Sequence, residues 1–155
     1  VDVVKEGNNM SAANRVVVRF RDGRTVKGTT RDFLPAKAMF HFHPVDGGEA
    51  LEVNVAELKA VFFVRCLEGD PNYNEYKGLP DKSVASLGKK IGVVFADGEV
   101  LAGYTHSYNP SNPGFFVTPV DPRSNNIRVF VVRDSVKEVK LGAQAESLVK
   151  GPVHN

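Results

Sequence analysis

The sequence predicts an all-β chain of two tandem, five-stranded, strongly bent small barrels related by an internal repeat. Three observations predict it. The run from Phe20 to Asp46 returns without a gap as Phe95 to Asp121: Phe, Asp, Gly, Gly, Thr, Pro, Phe, Pro, Val and Asp at positions 20, 22, 23, 28, 30, 35, 40, 44, 45 and 46 all recur 75 residues later. That spacing is too long for a solenoid unit and suits one small β-domain. The apolar residues alternate with the period of strands, and each copy carries one glycine at a hairpin turn and a second within a strand.

In the first copy, Val16, Val18 and Phe20 alternate with Arg15, Arg19 and Arg21, although Val17 interrupts the polar side. Asp22-Gly23 supplies a tight hairpin turn, and Val26, Gly28 and Thr30 continue the inward face on the return strand. A loop around Leu34 to Lys37 leads to a strand at Ala38 to His43, a turn at Pro44 to Gly48 and a strand at Leu51 to Val55. Ala56 to Lys59 reads as a short helical turn before a last strand at Ala60 to Arg65. The second copy reads in the same order: Ile91 to Ala96, a turn at Asp97-Gly98, then Glu99 to His106, Gly114 to Thr118, Ile127 to Val132 and Val136 to Leu141. Gly28 and Gly103 are read as structural, letting the second strand of each copy bend.

These elements place the first barrel at residues 14–66 and the second at 90–142. Residues 67–89, rich in Gly, Pro, Asn, Asp and Lys, read as a linker that Tyr73 and Tyr76 could pin across a barrel. The tail, 143–155, reads as up to two turns of helix over Ala143 to Lys150, stopped by Gly151-Pro152. At about 60 residues each, the copies lie where burial is marginal, so they are expected to support one another.

Composition is that of an ordinary globular chain: 155 residues, 42% hydrophobic, with a net charge of +2 that demands no particular partner. The longest apolar stretches, such as Ala60 to Val64 and Val129 to Val132, are far short of the roughly 18–20 residues of a membrane helix, and Val1 to Asn9 lacks the layout of a signal peptide. With Cys66 the only cysteine, no internal disulfide can form, and a cytoplasmic location is expected.

The stretch Val16-Val17-Val18-Arg19-Phe20-Arg21-Asp22-Gly23-Arg24-Thr25-Val26-Lys27-Gly28 resembles the first signature of Sm-like barrels, and Val129-Phe130-Val131-Val132-Arg133-Asp134-Ser135-Val136 is similar to their second. The pattern from Phe95 to Val139 resembles an uncharacterised bacterial domain family found near signalling and regulatory modules, and SH3-like barrels share the glycine-turned hairpin. The resemblance implies tandem Sm-like barrels and, in its RNA-binding branch, a base pocket after the second strand. Here that loop reads Leu34-Pro35-Ala36-Lys37 and Asn109-Pro110-Ser111-Asn112-Pro113, without the pocket's Asp and Met-Asn pair. Asp134 stands where the second signature has Gly, and the first copy has Ala56-Glu57 there.

The two hairpins differ on their outward faces. Arg15, Arg19, Arg21, Lys27 and Arg31 make the first one basic, a candidate surface for nucleic acid or an acidic partner. Interleaved aromatics for base stacking are absent from it. In the second copy the corresponding face is apolar, with Val94, Val100 and Tyr104 as a candidate interface. Such a face is normally covered, here by the linker, the tail, the first copy or a second chain in a homodimer.

Other motifs point to structure. His41 and His43 alternate on one strand without further ligands nearby, and Phe116 and Thr118 occupy those positions in the second copy, so no metal or other cofactor is expected. Arg15-Val16-Val17-Val18-Arg19 has the spacing of the PilZ arginine motif but lacks its companion segment. No nucleophile with a base, carboxylate pair or phosphate-cradling glycine loop has diagnostic spacing, and Asp22, Asp46, Asp97 and Asp121 all sit in turns. The expectation is a non-catalytic protein-interaction or regulatory module whose protein partner the sequence does not identify. The alternative is an Sm-like nucleic-acid-binding protein using the basic hairpin.

Overall fold

In both hairpins the sequence dictates the turn. β1 (Asn14–Phe20) and β2 (Thr25–Thr30) are joined at Gly23, whose φ of +100° is open to glycine at little cost; β6 (Lys89–Phe95) and β7 (Val100–Thr105) are joined in the same way at Gly98, φ +95°. The computed structural model describes residues 13–69, 88–106, 108–121 and 123–146. Its remaining strands are β3 (Met39–Pro44), β4 (Leu51–Asn54), β5 (Leu58–Val64), β8 (Gly114–Pro119), β9 (Asn126–Val132) and β10 (Val136–Leu141). Short 3-10 turns at Val55–Glu57, Arg133–Ser135 and Gly142–Ala145 complete the described elements.

Among the described residues all ladders are antiparallel, and the ten strands form one sheet in the order β10-β6-β7-β8-β9-β5-β1-β2-β3-β4. The expectation of two separate closed barrels is therefore corrected: the chain is all-β, but its sheet is continuous and open. Within it each half runs 5-1-2-3-4. Val16 pairs with Gly28 and Ile91 with Gly103; Gly28 pairs with Pro44 and Gly103 with Pro119. The register of the second half thus follows that of the first at the 75-residue offset. Later in each half the offset becomes 78, as Phe40 opposite Val53 and Phe115 opposite Val131 establish.

Gly28 and Gly103 are needed for close backbone approach rather than for an unusual φ. A Cβ at Gly28 would lie 2.1 Å from the His43 carbonyl oxygen, and one at Gly103 would lie 2.2 Å from that of Thr118. At these glycines the backbones of β3 and β8 come close against β2 and β7, with Gly28 opposite Pro44 and Gly103 opposite Pro119.

The halves are joined by β5 and β9, with Ala60 opposite Val131, Val61 opposite Phe130, Phe62 opposite Val129 and Phe63 opposite Arg128. Over 60–64 and 129–132 the two strands are apolar on both faces because each serves two cores. One core contains Val16, Val18, Phe40, Phe42, Val61 and Phe63 of the first half together with Phe130 and Val132 of the second. The other contains Ile91, Val93, Phe95, Phe115 and Val117 together with Ala60 of the first half, and Phe62 packs against it. Each half thus completes the other's core, which is why two marginal units close no separate barrels.

Some boundaries shift. The helical turn expected at Ala56–Lys59 is the 3-10 turn at Val55–Glu57, so β5 starts at Leu58; β6 starts at Lys89. In the tail, the described part is the 3-10 turn at Gly142–Ala145 followed by Glu146. Tyr73, Tyr76 and the rest of 70–87, together with 147–155, lie outside the described residues. No helix among the described residues is long and apolar enough to cross a membrane.

Candidate functional site

The outward face of the first hairpin forms one wall of a groove at the joint between the halves. Alternation along β1 and β2 turns Val17, Arg19, Thr25 and Lys27 outward, and the ladder to β5 sets Val17 beside Phe62. The opposite wall is the start of β7, Val100 to Ala102, with Glu99 before it. Val64, Leu67, Asn125 and Asn126 lie at the base and end, and the cavity measures about 370 Å³. A second groove of similar volume lies between Ala38, Val55, Pro113, Val132, Arg133 and Asp134.

The five cations of the first hairpin are not equivalent. Arg15 donates to the Arg65 carbonyl oxygen at 2.7 Å, and Arg21 donates to that of Asp134 at 3.3 Å. Arg19 donates to Glu99 at 3.5 Å and sits over the Phe62 ring, 5.2 Å from its centre. Lys27 and Arg31 are exposed and have no ion-pair partner among the described residues. The expected basic surface is therefore partly committed inside the chain: Arg19 and Lys27 reach the groove, whereas Arg15, Arg21 and Arg31 do not line it.

The three apolar candidates of the second half also separate. Tyr104 is 1% exposed, Val94 is half-buried, and Val100 is 43% exposed in the groove wall. Lys90, opposite Tyr104, is itself buried and bonds Glu146 at 2.9 Å, so the described end of the tail packs on β6 on the side of Lys90. The apolar face of this hairpin is thus largely covered within the chain, apart from Val100.

Sequence reasoning did not pick out the residues that build the joint around the groove. Lys59, only 10% exposed at its side chain, bonds Asp97 at 2.7 Å and also Glu99, and its ammonium sits 4.7 Å from the centre of the Phe95 ring. The hydrogen bond from Lys59, with a second from the Glu99 backbone N–H, holds the Asp97 carboxyl below the usual carboxylate range. On the other face, Phe33 meets Phe40, Phe63, Phe116 and Phe130 edge-on. Arg128 lies over Phe63 and Phe116, 4.7 and 4.3 Å from their centres, and burial lowers its pKa. The apolar runs Ala60–Val64 and Val129–Val132 were the available signal for this pairing.

His41 belongs to a different cluster. Its ring Nδ1 lies 2.7 Å from Asp32 and its Nε2 3.9 Å from Glu52, while Asp32 also accepts the His41 backbone N–H at 2.9 Å. No group of three or more His, Cys, Asp or Glu residues among those described is arranged to hold a metal ion. The His41 arrangement can tie the loop after β2 to β3.

A family model described as a family of unknown function (DUF6982) matches residues 12–143. No curated protein and no solved structure matches the chain.

Proposed function

The chain belongs to the DUF6982 family of unknown function, and from that premise we propose that it is a non-catalytic protein-interaction module that receives a partner segment of mixed apolar and acidic character in the groove at its joint. The observation that carries this reading is one of juxtaposition. Lys27, without an ion-pair partner among the described residues, shares a concave surface with half-buried Val17 and Phe62 and exposed Val100. Apolar side chains left at a concave surface beside a free cation suit a ligand that brings aliphatic groups and a carboxylate.

The 5-1-2-3-4 order of each half supports reading them as two Sm-like or SH3-like units fused through β5 and β9. A regulatory setting rests on the resemblance given above. Nucleic-acid binding through the basic hairpin is the weaker reading, because Arg15, Arg19 and Arg21 are already bonded within the chain.

The test is selection of binders from a random displayed peptide library on the full chain, followed by mapping of amide shifts. Expected are apolar-acidic peptides that shift Val17, Lys27 and Val100, with affinity lowered about tenfold or more in the Lys27→Glu, Val100→Asp double variant. Shifts confined elsewhere, or unchanged affinity in the double variant, contradict the proposal. Binding of mixed RNA that falls steeply with salt and is lost in Arg19→Glu with Arg21→Glu would establish the alternative.

A further inference from the structure

The joint of β5 and β9 uses one edge from each half, and the counterparts of those two edges are the outermost strands of the sheet. β4 occupies in the first half the place β9 has in the second, and β10 is the counterpart of β5. Among the described residues no strand pairs on the outer side of β4 or β10. A heterologous joint of this kind, repeated between chains, would build a ring or an open filament.

The side chains at the two ends oppose that repetition. At the joint, Phe130 and Val132 enter the core of the first half, while Ala60 enters that of the second and Phe62 packs on it. The registers make Glu52 and Asn54 the counterparts of Phe130 and Val132, and Glu138 and Lys140 those of Ala60 and Phe62. All four positions that carry apolar side chains into the neighbour at the joint are thus polar at the free edges. The pairing that would bring two chains together sets Glu138 opposite Val53, Lys140 opposite Leu51 and Glu52 opposite Val139. Each of these places a charge against an apolar group and strips it of water without a new partner. In the single chain the charges are accommodated: Lys140 lies 3.3 Å from Glu138, and Glu52 lies 3.9 Å from His41.

We propose that Glu52, Asn54, Glu138 and Lys140 are gatekeepers that stop edge pairing after one internal joint, so that the described sheet ends at β4 and β10 and these edges reject a second copy of this chain. Charged side chains on edge strands act in this way generally. Here the internal joint supplies the control, the same strand positions with the charges removed.

The test is solution mass by analytical ultracentrifugation from micromolar to submillimolar concentration. The unaltered chain is expected to remain at the mass of one chain, 16.9 kDa. Installing the joint's residues at both edges (Glu52→Phe, Asn54→Val, Glu138→Ala, Lys140→Phe) should give concentration-dependent multiples of that mass. Because this variant exposes new apolar surface, two half-variants are made as well, Glu52→Phe with Asn54→Val and Glu138→Ala with Lys140→Phe. Mixed, they should form a one-to-one complex that neither forms alone. An unaltered chain that associates and is dispersed by Leu51→Pro on β4 overturns the proposal. So does a folded quadruple variant that stays single, or half-variants that do not combine.

Discussion

The ammonium of Lys59, in the last strand of the first half, lies 2.7 Å from the carboxylate of Asp97, in the hairpin turn of the second. Lys59 is almost wholly enclosed while Asp97 is 56% exposed at its side chain. The contact therefore fixes a buried cation at the seam through an anion that water still reaches. Removing the cation frees Asp97 into solvent and uncovers Phe95. Lys59→Ala is expected to destabilise the chain by about 1–2 kcal/mol, the range of a charge-assisted hydrogen bond discounted for exposure. Asp97→Ala should cost less, because Glu99 still accepts from Lys59. Denaturant melts of both variants check the order.

The glycines within β2 and β7 predict a sharp contrast. Gly28→Ala and Gly103→Ala drive a Cβ into backbone oxygens 2.1 and 2.2 Å away, and each should cost about 3 kcal/mol or more. Gly23→Ala meets no atom within 4 Å and carries only the penalty of its positive φ, about 1–2 kcal/mol. Thermal unfolding of the three variants side by side distinguishes crowding from conformational strain.

Phe130 belongs by sequence to the second half and by packing to the core of the first, where it is fully buried. Phe130→Ala should destabilise the chain by about 3–5 kcal/mol. The loss should appear in probes of both halves together, in a single transition, rather than in residues 88–146 alone.

The acid limb of stability follows from the carboxylates at turns and seam. Asp32, Asp22 and Asp97 all have folded pKa values below the ordinary 3.8. For Asp32 the first cause is the His41 side chain, for Asp22 the Arg24 backbone N–H, and for Asp97 the Lys59 side chain. A carboxyl whose pKa is depressed on folding contributes stability that is complete above its unfolded value and is lost as pH falls through the folded one. Stability should therefore fall below about pH 4, where these groups take up protons. In Lys59→Met the fall should be shallower, since the largest cause depressing Asp97 is removed and only the Glu99 backbone N–H still bonds its carboxylate. Urea melts across that pH range measure the slope.

Much of this architecture can be read from the residues, and the unreadable part has a physical cause. Asp22-Gly23 and Asp97-Gly98 announce their hairpins because few other pairs adopt such turns, and the second glycine of each half marks a close approach of two backbones. The alternation of Val16, Val18 and Phe20 shows which face is buried. The union of the halves is different. Ala60 to Val64 and Val129 to Val132 declare that both faces of two strands are covered, but apolar pattern carries no address, so neither run says that the other covers it. The basic hairpin reads as an open surface until the fold brings the Arg65 and Asp134 carbonyls to Arg15 and Arg21, contacts 50 and 113 residues apart in sequence. Lys59 is hidden for the same reason, since its burial depends on a turn 38 residues away.

The two halves share one sheet through β5 and β9, and with their cores completed across that joint they are expected to have no separate stability. Native-state hydrogen exchange of the full chain tests this most directly. The hydrogen-bonded amides of residues 60–63 and 129–131 should exchange only through global unfolding, at the same free energy as the most protected amides of β1 and β6. Exchange of the 129–131 amides through a smaller opening, while β1 stays protected, would show that the halves come apart and would contradict the shared core.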